Sequence, residues 1–402
     1  MSPRTHPRPF DVVLLGATGF TGALAAEYLA AHLPPGARLA PAGRKQAKPE
    51  AVRDRLLRIG QQVEHIALLH ADSSAPQSPA RVAEAERVVI TTVGPYLEHG
   101  EPLVAACAAA GTDYVDLTGE PEFVDRMYVE HHATAERTGA RIVHACGFDS
   151  TPHDLGALFT VQQLPPRASV TLRGVVRTNA TISGGTLHSG LGQLSRPRAM
   201  LRAAAGHRRL EPRPRGRQVR TRPDRPRRDR TLDTWLIPLP TIAPDVVRRS
   251  AFARPDCGPG FTYSHHAGAR RVATVAAALA GSAAALPAVQ VPPLRRAIGR
   301  RIPQGEGPPA ERGDRTWLTV DIIGGGGGQR VRTQVGGADP GYTETAKMLA
   351  KSALCLAYDD NPPIAGQATT ATAMGEHPLR RLGDAGISFT VISSRTATRA
   401  AR

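Results

Sequence analysis

Asp11-Val12-Val13-Leu14-Leu15-Gly16-Ala17-Thr18-Gly19-Phe20-Thr21-Gly22 is an apolar run ending in three spaced glycines. An amphipathic stretch, Thr21–His32, follows it directly and reads as a helix. Strand, glycine turn and helix in that order form the first half of a β-α-β unit. A pyrophosphate can approach the backbone N–H groups at such a helix start only if side chains are absent from the turn. Gly16, Thr18, Gly19, Phe20, Thr21 and Gly22 are therefore the expected cofactor contacts. A tight strand–helix turn with no ligand is the plain alternative.

Working outward, apolar β-branched runs alternate with helical stretches as far as Ala145. Strands are expected at Asp11–Leu15, Arg38–Ala42, His65–Leu69, Arg87–Thr92, Tyr114–Asp116 and Arg141–Ala145, with helices at 21–32, 50–59, 78–85, 101–110 and 121–138. That rhythm predicts an α/β fold with a Rossmann-like doubly wound parallel sheet over residues 1–150, its ligands at the carboxyl ends of the strands. After Gly147 longer strands with irregular connections begin, at 169–177, 235–239, 316–324 and 329–335. They predict a second, α+β domain over 151–340. A helix at Tyr342–Tyr358 and a strand at Ile387–Val391 complete the reading, before a loose tail that ends at residue 402. The run Gly324–Gly328 reads as a hairpin turn.

The strand ends carry the chemistry. An NAD site would place an acid after the second strand, whereas this chain has Ala42-Gly43-Arg44-Lys45. Arg44 and Lys45 suit a 2′-phosphate and favour NADP(H); a solvated basic loop is the alternative. Asp72 follows the third strand, either near adenine or as a helix cap. Val93, Gly94 and Pro95 end the fourth strand, where they would hold backbone close to the nicotinamide half, with Tyr96 and His99 beyond them. The fifth strand ends in Asp116-Leu117-Thr118-Gly119-Glu120 and the sixth in Gly147-Phe148-Asp149-Ser150-Thr151-Pro152-His153. Scattered structural turns have no reason to gather polar residues on one sheet edge.

Composition adds less than its headline suggests. The formal net charge is +16 over 402 residues, but Arg196–Arg230 alone holds fourteen Arg against three acids. Its Arg/Pro/Gly composition reads as a solvated or disordered loop. No aromatic stacking set accompanies it, so nucleic acid is not an expected partner. Four cysteines without a C-x-x-C pair suggest neither a disulfide framework nor a zinc site, and no metal is expected. The start of the chain lacks an apolar signal region, so the cytoplasm is the expected location. Residues 272–294 are uncharged and bracketed by Arg270-Arg271 and Arg295-Arg296. A covering helix, an interfacial patch and a membrane span are the three readings, and the second gives peripheral contact at the inner face of the plasma membrane.

Taken together, Gly-Ala-Thr-Gly-Phe-Thr-Gly at 16–22, Ala-Gly-Arg at 42–44, Val-Gly-Pro-Tyr at 93–96, Asp-Leu-Thr-Gly-Glu at 116–120 and Gly-Phe-Asp-Ser-Thr-Pro at 147–152 resemble the saccharopine dehydrogenase-like oxidoreductases. Ser183-Gly184-Gly185-Thr186, Val291-Pro292-Pro293 and the run Asp339–Lys347 are similar to the trans-acting enoyl reductase branch of actinobacteria. The resemblance implies an NADP-binding domain, an α+β substrate domain, and a C-terminal segment, 341–402, packing back on the first. It also implies reduction of a carbon–carbon double bond in a polyketide- or lipid-derived intermediate of glycolipid biosynthesis, presented in trans by a synthase. Such a reduction needs a hydride, an enolate stabiliser and a proton. The candidates at the cofactor edge are Tyr96, His99, Glu120, Asp149 and His153. Reduction of an imine or another small substrate on the same scaffold, and cofactor binding without turnover, are the alternatives.

Overall fold

The structure, a computed structural model, describes residues 8–43, 47–59, 65–71, 77–180, 184–276 and 316–396, with a few positions between 281 and 294. The first domain runs β1 (Phe10–Leu15), α1 (Phe20–His32), β2 (Arg38–Gly43), α2 (Ala47–Ile59), β3 (His65–Ile66), β4 (Leu69–His70), α3 (Ser78–Glu84) and β5 (Glu86–Thr91). It continues through α4 (Tyr96–His99), α5 (Glu101–Ala110), β6 (Asp113–Asp116), α6 (Pro121–Thr138) and β7 (Arg141–Val143). The expected third strand is thus two short pieces, both paired with β2. All pairs are parallel, in the order β3-β2-β1-β5-β6-β7, and β15 (Gly366–Ala368) adds a further strand beside β7. This is the doubly wound arrangement, its order reversing between β1 and β5.

Helices cover both faces of the sheet, so its strands are apolar throughout rather than alternating. Val12, Val13 and Leu14 of β1, and Val88, Val89 and Ile90 of β5, are wholly buried. Each such side chain contributes about 1.5–3 kcal/mol. On one face α1 and α11 (Thr343–Tyr358) pack over Leu14, Val88 and Ile90, through residues such as Leu29, Leu349 and Ala353. On the other, α5 and α6 cover Val13, Val89 and Tyr114, with Leu103, Val104 and Met127.

The second domain opens with α7 (Thr151–Val161) and β8 (Val170–Thr178), then α8 (Gly184–Leu194), α9 (Pro197–Leu210), β9 (Gln218–Thr221), β10 (Arg227–Asp229), β11 (Thr234–Pro238), α10 (Ala243–Ala253) and β12 (Gly260–Ala269). It ends with the hairpin β13 (Leu318–Gly326) and β14 (Gln329–Gly337), followed after α11 and β15 by α12 (Thr370–Met374), α13 (His377–Gly383) and β16 (Ser388–Thr396). The mixed sheet runs β10-β11-β12-β8-β13-β14-β16, with β9 also along β12. Helix α7 lies on one face, where Gly156 lets Ile322 and Val335 approach. The hairpin turns at Gly327 and Gly328, φ +58° and +77°, in the glycine run where that turn is expected.

Two expectations are corrected. Arg196–Arg230 is not an unstructured loop, since it supplies α9, β9 and β10. Its arginines and histidine meet carboxylates from elsewhere: Arg196 pairs with Glu122 at 2.7 Å and His207 with Asp125 at 2.5 Å. Nor does the last strand return to the first domain, because β16 pairs antiparallel with β14 in the second sheet; α11 and β15 do pack back on the first. Eleven of the 23 residues of 272–294 lie outside the described residues. Among the described residues no helix is long and apolar enough to cross a membrane.

Candidate functional site

The turn Gly16–Gly22 sits where β1 meets β5. Gly16 has φ +88°, and a Cβ there would press 2.5 Å from the Thr92 hydroxyl, which itself lies 3.3 Å from the Gly16 carbonyl. At Gly22 a Cβ would stand 2.1 Å from that same carbonyl, so only glycine lets α1 pack this close to the strand. Gly19 differs: its nearest neighbour to an added Cβ is at 3.4 Å, and with Thr18 it forms the exposed rim. It is also the N-cap of α1 and makes no side-chain cap. The first N–H groups of a helix have no partner inside it. An open glycine rim below uncapped amides fits a pyrophosphate.

Phe20 at the start of α1 meets Tyr342 edge-on, ring centroids 4.8 Å apart. The Thr345 hydroxyl accepts from Phe148 N at 3.2 Å, tying the start of α11 to the end of β7. The run Asp339–Lys347 thus closes the same edge. Val93, Gly94 and Pro95 follow β5 on this edge, with Gly94 exposed. Arg44, Lys45 and Asp72 lie outside the described residues; Gly43, the last residue of β2, immediately precedes Arg44 and Lys45.

The five titratable candidates separate clearly. Tyr96 is buried, and its hydroxyl donates to Thr91 O at 3.1 Å and accepts from Leu117 N at 3.2 Å. Burial first, and then the Asp116 charge, hold that phenol well above its usual range. Glu120, also buried, accepts from Tyr96 N at 3.2 Å, Leu97 N at 2.9 Å and Ser189 Oγ at 2.8 Å. A carboxylate at the start of α4 compensates its free amides. His99 is exposed, its ring 3.9 Å from Glu98, and is not brought to the others.

Asp149 has a different character. It lies against Gly119, where an added Cβ would come within 2.8 Å of its carboxylate, so the ends of β6 and β7 meet there. Burial alone pushes its carboxyl up to about 6. A carboxyl poised near neutrality can hold a proton and release it. His153, at the start of α7, is buried beside His265, rings 4.5 Å apart. Burial first and the neighbouring imidazole second keep it well below its usual range, hence neutral. Ser189, which links α8 of the second domain to Glu120, is a contact that motif reading missed. Its only signal is its place just beyond the Ser183–Thr186 motif.

Known proteins resemble this chain along most of its length. The family model for the saccharopine dehydrogenase NADP binding domain matches residues 12–143. A Mycobacterium tuberculosis protein is 37% identical across 95% of this chain and 97% of its own. The trans-acting enoyl reductases of Mycobacterium bovis and Mycobacterium leprae are each 36% identical across 96% of this chain and 98% of theirs. Among solved structures, apo histidine-tagged saccharopine dehydrogenase (L-Glu forming) from Saccharomyces cerevisiae superposes with a TM-score of 0.54 at 11% identity, covering 97% of this chain and all of that one. That likeness is one of fold.

Proposed function

The chain belongs to the saccharopine dehydrogenase-like oxidoreductases, in their trans-acting enoyl reductase branch, and from that premise we propose that it is an NADPH-dependent reductase of an enoyl intermediate delivered by a separate synthase. The observation that carries this reading is identity of 36–37% over nearly the whole chain, second domain included. The substrate class is a polyketide- or lipid-derived acyl chain of glycolipid biosynthesis. Peripheral membrane contact through 272–294 belongs to the same proposal, supported by the exposed Val272 and Leu294.

NADPH, when bound, supplies the hydride for the β-carbon. Gly16 and Gly22 keep side chains out of the turn, and Gly19 with the first amides of α1 would hold the pyrophosphate. Arg44 and Lys45, which follow Gly43 in the chain, would hold the 2′-phosphate, and Asp72 would contact the adenine. Val93, Gly94 and Pro95 would offer backbone to the nicotinamide half. Asp149 gives its proton to the α-carbon, leaving a saturated acyl chain and the carboxylate. Glu120 positions rather than reacts: its two oxygens hold α4 and the Ser189 hydroxyl. Tyr96 holds β5 to the loop after β6.

A panel of enoyl thioesters, offered to the purified protein with NADPH, tests the reading through loss of the reduced-nicotinamide absorbance. Turnover with at least one lipid-like enoyl thioester is expected. Tight NADPH binding with no oxidation across the panel would refute it.

A further inference from the structure

On the face of the second sheet turned away from α7 there is a basin of about 500 Å³, remote from the glycine turn. Its floor is one ladder row. Gly325 of β13 stands opposite Thr171 of β8, and Thr171 opposite Thr262 of β12. Gly325 has open space where a side chain would be, the nearest atom to an added Cβ being 3.9 Å away. Arginines close the row at both ends, Arg330 and its cross-strand neighbour Arg395 on one side and Arg220 on the other. Arg173, Arg222 and Arg227 complete the wall, and Ser264 adds a third hydroxyl.

The charges do not balance. Arg227 pairs with Asp224 at 3.0 Å and Arg173 with Asp229. The Arg222 and Arg330 guanidinium groups have no carboxylate within ion-pair distance among the described residues, so four guanidinium groups of the lining face two carboxylates. Further along this face the arginines are compensated, since Arg177 and Arg332 converge on Asp321 at 2.5 and 2.8 Å. Burial, with Arg227 and Arg330 nearby, holds the Arg173 guanidinium below its usual range, a sign that the cluster repels itself. Convergent guanidinium forks over hydroxyl donors match the tetrahedral oxygens of a phosphate.

We propose that this basin is a binding site for a phosphate group, carried either by a soluble phosphate ester or by a lipid headgroup. Its occupant neutralises Arg222 and Arg330 and takes hydrogen bonds from Thr171, Thr262 and Ser264. The site is independent of the reductase reading.

With the nucleotide turn saturated by NADP⁺, the full chain is titrated calorimetrically with glycerol phosphate, and in parallel sedimented with vesicles containing phosphatidic acid. The double variant Arg222→Ser with Arg330→Ser goes through both arms. Its thermal midpoint in phosphate-free buffer should match or exceed that of the parent, because neither side chain has an ionic partner to lose among the described residues. Roughly tenfold weaker binding by the variant is expected in whichever arm the parent binds, the two charge-assisted contacts being lost together. Binding of glycerol phosphate assigns a soluble ester, and binding to vesicles alone assigns a headgroup. No binding by the parent in either arm, or equal binding by the variant, would overturn the proposal.

Discussion

In the turn Gly16–Gly22 the absence of side chains holds the structure, since a single methyl at Gly22 would stand 2.1 Å from the Gly16 carbonyl. In Arg196–Arg230 side-chain ion pairs do much of the holding, and several of their partners come from outside. His207 is buried, 2.5 Å from Asp125 of α6, and stacks on Tyr128 with ring centroids 3.9 Å apart. Glu211 receives Arg248 at 2.9 Å and Arg249 at 3.4 Å, both from α10. One region is built by steric fit, within Gly16–Gly22 and against Thr92. The other is a charged seam that exists only once three helices have met. The glycine turn is thus held sterically, whereas the docking of the arginine-rich helix is distributed and electrostatic, and the two should fail in different ways.

The sharpest contrast comes from Gly22→Ala. The strand–helix turn cannot absorb the extra carbon without moving backbone, so a loss of about 3 kcal/mol or more and abolished NADPH binding are expected by thermal unfolding and cofactor fluorescence. Binding at parental strength would show the turn to be slack. Next, Asp149→Asn should lower turnover by roughly 10²–10⁴-fold while NADPH affinity holds, as for loss of a general acid. With its carboxyl pushed up to about 6, turnover in the parent should fall as pH rises through that value, and the variant should lose this limb. Arg44→Ala should weaken NADPH well beyond NADH, as two titrations would read; equal weakening would remove the 2′-phosphate role.

The seam should break more gently. His207→Ala ought to cost about 1–3 kcal/mol in denaturant unfolding and leave cofactor binding intact, because Asp125 stays near the surface and can rehydrate. Its acid response has a definite sign. The Glu211 carboxyl is lowered from 4.5 to about 2: burial opposes this, and His207, Arg248 and Arg249 outweigh it. A depressed acid contributes stability in full above its unfolded value, and loses it as pH falls from about 4.5 toward 2. An unfolding profile flat across that window would contradict the seam.

The first sheet was legible because its signals are near neighbours. Val12–Leu15, the three glycines and the alternation that follows each predict structure within a few residues. Even so, β15 escaped, since three residues from Gly366 join β7 only through the tertiary fold. Strand β12 was hidden for another reason: Gly260–Ala269 contains Gly, Ser and two histidines, and its burial beside β8 and β9 is not a local property. Within the candidate site, the motifs at the strand ends share one edge, but the roles of their side chains are not written in them. Tyr96 and Glu120 look reactive in sequence, yet their polar atoms are consumed by Thr91, Leu117, Leu97 and Ser189. Asp149 stands apart through desolvation, which no motif records. Composition misled most at Arg196–Arg230, where Glu122 and Asp125 lie more than seventy residues earlier in the chain.

The proposed reaction moves a hydride from NADPH to an enoyl carbon. Incubating the protein with a lipid-like enoyl thioester and NADPH deuterated at the transferable position, then analysing the product by mass spectrometry, tests it most directly. One deuterium on the β-carbon of a saturated acyl chain is the predicted result. An unchanged thioester, or a reduced product without deuterium, would contradict it.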